Sequence, residues 1–134
     1  MYIIMSNKLQ TGLKKKYAIC IVGQFRTFYQ KNVYENIYSS IKNLTDKSDI
    51  FFVFGENPTS NLDMLCQYFK PCNVSYYDTK KIKPPIQNAK GLPMAVGFKK
   101  AYEEIVKKEN ENGYEYEIII KLRPDVILGS YFHD

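Results

Sequence analysis

The chain has 134 residues, 45% of them hydrophobic, which suits one domain built around a single core. Its purely apolar runs fall far short of the ~20 residues that a membrane helix needs, so no membrane span is expected. The net charge of +5 comes from lysines scattered along the chain, and the densest cluster, Lys14-Lys15-Lys16, precedes the first strong strand pattern. It reads as a solvated surface, and nucleic acid is not an expected partner.

Met1 to Met5 is apolar but gives way to Ser6-Asn7-Lys8, without the basic start and small-residue cleavage site of a signal peptide. Residues 1–16 read as a flexible lead-in and residues 17–134 as one domain. Tyr17-Ala18-Ile19-Cys20-Ile21-Val22 is a continuous apolar run that stops at Gly23, the pattern of a strand buried on both faces. Thr27 can cap a helix with Val33, Ile37, Ile41 and Leu44 at helical spacing, widened by Tyr34 and Tyr38. Asp49 to Phe54 is a second buried strand, closed by Gly55 and the turn Asn57-Pro58-Thr59-Ser60.

A short helix is predicted over Asn61 to Phe69, and a weaker strand over Asn73 to Tyr77. A loop around Pro84-Pro85 follows, of a length that is often functional. The next predicted helix, Met94 to Glu109, presents Val96, Ala101, Ile105 and Val106 on one side and ends at Asn110-Glu111-Asn112-Gly113. Glu117 to Leu122 is the last buried strand and runs into Arg123-Pro124-Asp125, with Val126 to Leu128 as a continuation beyond a kink. Strands that are mostly continuous apolar runs, alternating with helices, predict an α/β fold with three αβα layers and a mainly parallel sheet of about four strands.

The three cysteines, Cys20, Cys66 and Cys72, are odd in number and lack C-x-x-C spacing. A disulfide framework is not expected, and a reducing compartment, the cytoplasm, fits. Zinc is not expected either, since the single histidine, His133, sits beside the last residue. The sequons at Asn43 and Asn73 read as chance in an Asn-rich chain.

Two segments could carry chemistry, and each holds one of the chain's two arginines among nineteen basic residues. An arginine offers a planar fork for phosphate or carboxylate that lysine cannot copy. The first segment is Gly23-Gln24-Phe25-Arg26. Gly23 permits positive φ or close backbone approach, Gln24 brings an amide, and Arg26 brings a bidentate anion contact near a helix start. A phosphate or diphosphate would suit them; a plain strand-to-helix turn with Arg26 paired to a neighbouring acid is the competing reading. The second segment is Arg123-Pro124-Asp125. Asp125 would be a hard oxygen ligand for Mg²⁺ or Mn²⁺, with Arg123 meeting substrate charge, and the competing reading is a local Arg–Asp pair that braces the turn. Asp78, at the end of the third strand, could reach a ribose or base or could serve the turn. In a parallel sheet, these loops share the edge where ligands bind.

The run from Ala18 to Phe28, with Asp49-Ile50-Phe51 and the stretch from Glu117 to Val126, resembles glycosyltransferase-like proteins of giant viruses, algae, plants and bacteria. Those proteins are similar to the Rossmann-like, nucleotide-sugar-binding half of the GT-A fold, and the resemblance spans about Tyr17 to Leu128. It implies that Gly23, Gln24 and Arg26 line the diphosphate and that Asp125 stands at the last carboxylate of an Asp-x-Asp metal motif. Arg123 would occupy the first Asp position and supply part of the cation's charge. Arg123 and Asp125 would then be the catalytic residues, stabilising the leaving diphosphate, and Asp78 would join the nucleotide contacts.

GT-A enzymes continue well past this strand to build the acceptor site and supply a base, whereas nine residues follow Asp125 here. The expectation is therefore the nucleotide-sugar-binding domain of a glycosyltransferase acting on an unidentified acceptor, either truncated or needing a partner subunit or a second copy to complete it. The alternative is a non-catalytic nucleotide- or anion-binding module.

Overall fold

The computed structural model describes residues 2–5, 15–23, 30–55, 66–69, 72–78 and 92–123. They form a five-stranded sheet with helices on both faces. The strands are β1 (Tyr2–Met5), β2 (Tyr17–Gly23), β3 (Ser48–Phe54), β4 (Cys72–Tyr76) and β5 (Ile118–Leu122). Helix α1 is Lys31–Ile41, continued by a 3₁₀ turn over Lys42–Lys47, and α2 is Leu92–Asn112. Across the sheet the order is β1-β5-β2-β3-β4. The four strands from β5 to β4 are mutually parallel, and β1 lies antiparallel on the β5 edge. This is the mainly parallel α/β architecture that the alternation of elements predicts, and it is Rossmann-like.

The continuous apolar runs are explained by the two covered faces. From β2, Tyr17, Ile19 and Ile21 point into a core with Val33, Tyr34, Ile37 and Ile41 of α1 and Leu44 of the 3₁₀ turn. Ala18, Cys20 and Val22 point the other way, toward Ala101 and Ile105 of α2. Strand β3 repeats the division, with Ile50, Phe52 and Phe54 on the α1 side and Phe51 and Val53 on the α2 side. A strand with apolar side chains on both faces shows no period of two, which is the mark of a central parallel strand.

Helix α2 lies close to the sheet because of Gly97. A Cβ there would sit 2.7 Å from Val22 Cγ1 and 3.0 Å from the Tyr77 ring, so only a hydrogen side chain fits this crossing.

Several elements depart from the sequence reading. Tyr2–Met5, assigned to the lead-in, is a strand that pairs from Tyr2↔Lys121 to Met5↔Ile118. The physical reason is the edge of β5, whose backbone groups on the side away from β2 need partners. The end of the lead-in is also tied down: Lys16 N–H donates to the Lys47 carbonyl, and Glu117 N–H donates to the Lys16 carbonyl. Helix α1 begins at Lys31 after Gln30, which makes no side-chain cap; Thr27, the predicted cap, lies outside the described residues. Helix α2 is longer at both ends than predicted. The predicted helix over Asn61 to Phe69 is described only at residues 66–69, of which 66–68 are helical, and the extension over Val126 to Leu128 lies outside the described residues.

Cys20 is enclosed between β2 and α2, and burial pushes its thiol up to about 12, with the Lys121 charge acting the other way. Its thiolate should therefore be scarce at pH 8. Alkylation of Cys20 in the native protein is expected to run roughly a thousandfold slower than that of an ordinary thiol. Peptide mass mapping after timed iodoacetamide treatment measures this, and labelling at the unfolded-chain rate would contradict the closed core.

Candidate functional site at the carboxyl edge of the sheet

Because β5, β2, β3 and β4 are parallel, their carboxyl ends gather on one edge. In spatial order this edge carries Arg123 after β5, Gly23 at the end of β2, Gly55 after β3 and Asp78 two residues after β4. Neighbouring strands lie ~4.8 Å apart, so the Arg123 and Gly23 positions are about one strand spacing from each other. Asp78 stands two strands beyond Gly23.

The chain leaves β2 toward β3 and β4, then crosses back to place β5 on the other side of β2. The order of connection therefore reverses between β2 and β5. Such a reversal opens a crevice beyond the strand ends, where α/β sheets take their ligands. Gly23 and Arg123 flank that point.

Gly23 has φ 154°, a conformation that side chains disfavour, and its carbonyl accepts a 2.9 Å hydrogen bond from Gly55 N–H. The Tyr77 N–H donates to the Phe54 carbonyl at 3.0 Å, which extends the ladder to Tyr77, the residue before Asp78. Arg123 and Asp78 are both exposed. The structure thus brings Gly23, Asp78 and Arg123 to one edge. Gln24, Arg26 and Asp125 lie outside the described residues. Among the described residues, no three His, Cys, Asp or Glu side chains converge as a metal site would require.

Two polar groups that the sequence reading passed over are prominent. Asp49, read as a strand-start residue, is 6% exposed and accepts a hydrogen bond from the Tyr116 phenol at the amino end of the sheet, away from the Gly23 edge. Lys121 lies inside β5 opposite Cys20 and is 5% exposed. Its Nζ sits 3.4 Å from the Phe98 ring centroid and 3.2 Å from Met94 Sδ. Burial, reinforced by the neighbouring Arg123 charge, lowers its pKa to about 8. The signal for Lys121 was present as the one charged residue in Ile118-Ile119-Ile120-Lys121-Leu122, but nothing local says where its head goes.

Compared with known proteins, the chain matches no protein-family model, no curated protein and no solved structure. Among the described residues, no helix is long and apolar enough to cross a membrane.

Proposed function

We propose that this domain binds a nucleoside diphosphate sugar at the carboxyl edge of its sheet, as the nucleotide half of a glycosyltransferase. One observation carries the reading: Gly23 and Arg123 flank the place where the strand order reverses. In this reading the diphosphate lies over the Gly23 turn, with Arg26 and Arg123 as its guanidinium contacts. Asp78, farther along the edge, meets a ribose or base hydroxyl. During transfer an acceptor hydroxyl attacks the sugar's anomeric carbon while the bond to the diphosphate breaks, and Arg123 stabilises the charge that develops on the leaving group. Asp125 would hold Mg²⁺ or Mn²⁺ if a cation joins the site. A nucleotide- or anion-binding module without turnover would share the same edge.

The test is calorimetric titration of nucleoside diphosphates and their sugars, with and without Mn²⁺, into the full chain and into Arg123→Lys. Loss of a bidentate charged contact is expected to cost on the order of 1.5–3 kcal/mol, or roughly 10- to 150-fold in affinity, although the charge is kept. Equal binding by parent and variant would remove Arg123 from the diphosphate site. Release of diphosphate in the presence of acceptors separates an enzyme from a binding module.

A further inference from the structure

Among the described residues, Lys121 is the only lysine that the fold encloses. It does not point into the carboxyl-edge crevice. Its side chain lies between the sheet and α2, in the wall of a cavity of about 60 Å³. Among the described residues, the other walls are Cys20, Phe98, Ala101, Tyr102, Ile105 and Ile119. Apart from the Cys20 thiol and the Tyr102 phenol, those side chains are hydrocarbon. Tyr102 is 62% exposed, so one wall of the cavity reaches solvent. At ~15 Å³ apiece, such a space takes about four small heavy atoms. The cavity therefore joins an apolar chamber, a solvent-facing wall and one primary amine.

An amine in such a chamber is chemically distinct from a surface lysine. Desolvation and a nearby cation favour its neutral form, which carries the nucleophilic lone pair, and both are present here as burial and Arg123. Among the described residues, the titratable or charged groups that face it are Cys20 from β2, Tyr102 from α2 and Arg123 from its own strand.

We propose that Lys121 is a covalent site for a small apolar aldehyde or ketone, which enters this cavity and forms a Schiff base with Nζ. The Nζ lone pair attacks the carbonyl carbon, and the C=O π electrons move to oxygen, which takes up a proton. Nζ then gives up its remaining proton as the hydroxyl leaves as water, and the C=N bond forms. No oxidant or reductant is consumed. The inference is independent of the nucleotide reading, because it uses the α2 face of β5 and not the strand-end crevice.

The test uses the full chain with propanal, which has four heavy atoms, and cyanoborohydride to reduce any imine to a stable propyl-lysine. Peptide mapping at short times and pH 7.5 then ranks the lysines. Lys121 is expected to label roughly tenfold faster than the others, its larger neutral fraction being partly offset by lower basicity. The preference should shrink toward pH 10, where surface lysines also lose their protons. A naphthaldehyde, too large for the cavity, should show no preference for Lys121. Lys121→Met should keep the slow surface labelling and lose the fast component. Labelling that spreads over surface lysines and spares Lys121 in the parent protein would overturn the proposal, whether or not the Met variant folds.

Discussion

Truncating Phe52 to alanine is expected to destabilise the protein by about 3–5 kcal/mol, a large fraction of what a domain of this size holds. Phe52 is fully buried in β3, between β2 and β4. Its ring stacks on Phe54 with centroids 5.6 Å apart and meets the edge of Phe69 at 5.4 Å. Removing it deletes apolar burial and leaves a hole bounded by two other rings, which cannot close without moving a central strand. Phe52→Leu keeps most of the volume and should cost less. Denaturant melts of the three proteins, with equal slopes, measure the difference. A loss below ~1 kcal/mol for Phe52→Ala would mean that the α1-side core is not packed as described.

Tyr116→Ala should have an effect of similar size, about 4 kcal/mol, for two separable reasons. The first is its ring, which packs edge-on against Phe51 and Tyr114. The second is its hydroxyl, which donates to the buried Asp49 carboxylate. Tyr116→Phe keeps the ring and removes only that donor, so about 2–3 kcal/mol is expected from it alone. Adding Asp49→Ala to Tyr116→Phe should cost less than the two single changes together, since the carboxylate left without its donor is then gone. Burial, and then the bond to Asp49, hold the phenol well above its ordinary value of 10. A raised folded-state pKa means that the contribution is complete below pH 10 and declines as pH rises beyond it. The parent should lose up to ~1.4 kcal/mol per pH unit there, and Tyr116→Phe should lack that slope. A slope unchanged by the substitution would assign the alkaline sensitivity elsewhere.

Strands β2, β3 and β5 were legible because each is built on an apolar run, broken in β5 only by Lys121, and such runs leave few options other than a covered parallel sheet. Once the strands are parallel, the placement of Gly23, Asp78 and Arg123 on one edge follows. The position of β5 next to β2 was not legible, and that adjacency is what sets Arg123 beside Gly23. Strand order is decided by contacts between residues far apart in the chain, which no local pattern encodes. β1 was missed for the same reason: its four residues gain meaning only from a partner more than a hundred positions away. Asp49 and Tyr116 are 67 residues apart, so their pairing is equally invisible from either side. Lys121 shows a different limit, since a run buried on both faces has no period to reveal which face takes the odd residue.

The slot occupied by β5 also constrains how the sheet can assemble. β1 and β2 are consecutive in the chain yet do not touch as strands; β5 separates them. Strands β2, β3 and β4 can pair through connections of modest length, but β5 joins β2 only after a long excursion through α2. β1 has no template until β5 has arrived. Loop closure over such separations is paid before the contacts repay it, which slows this step relative to local pairing. Completion of the sheet therefore acts as a late latch: β1 secures β5, and β5 in turn carries both Arg123 at the crevice and Lys121 in the α2-side cavity.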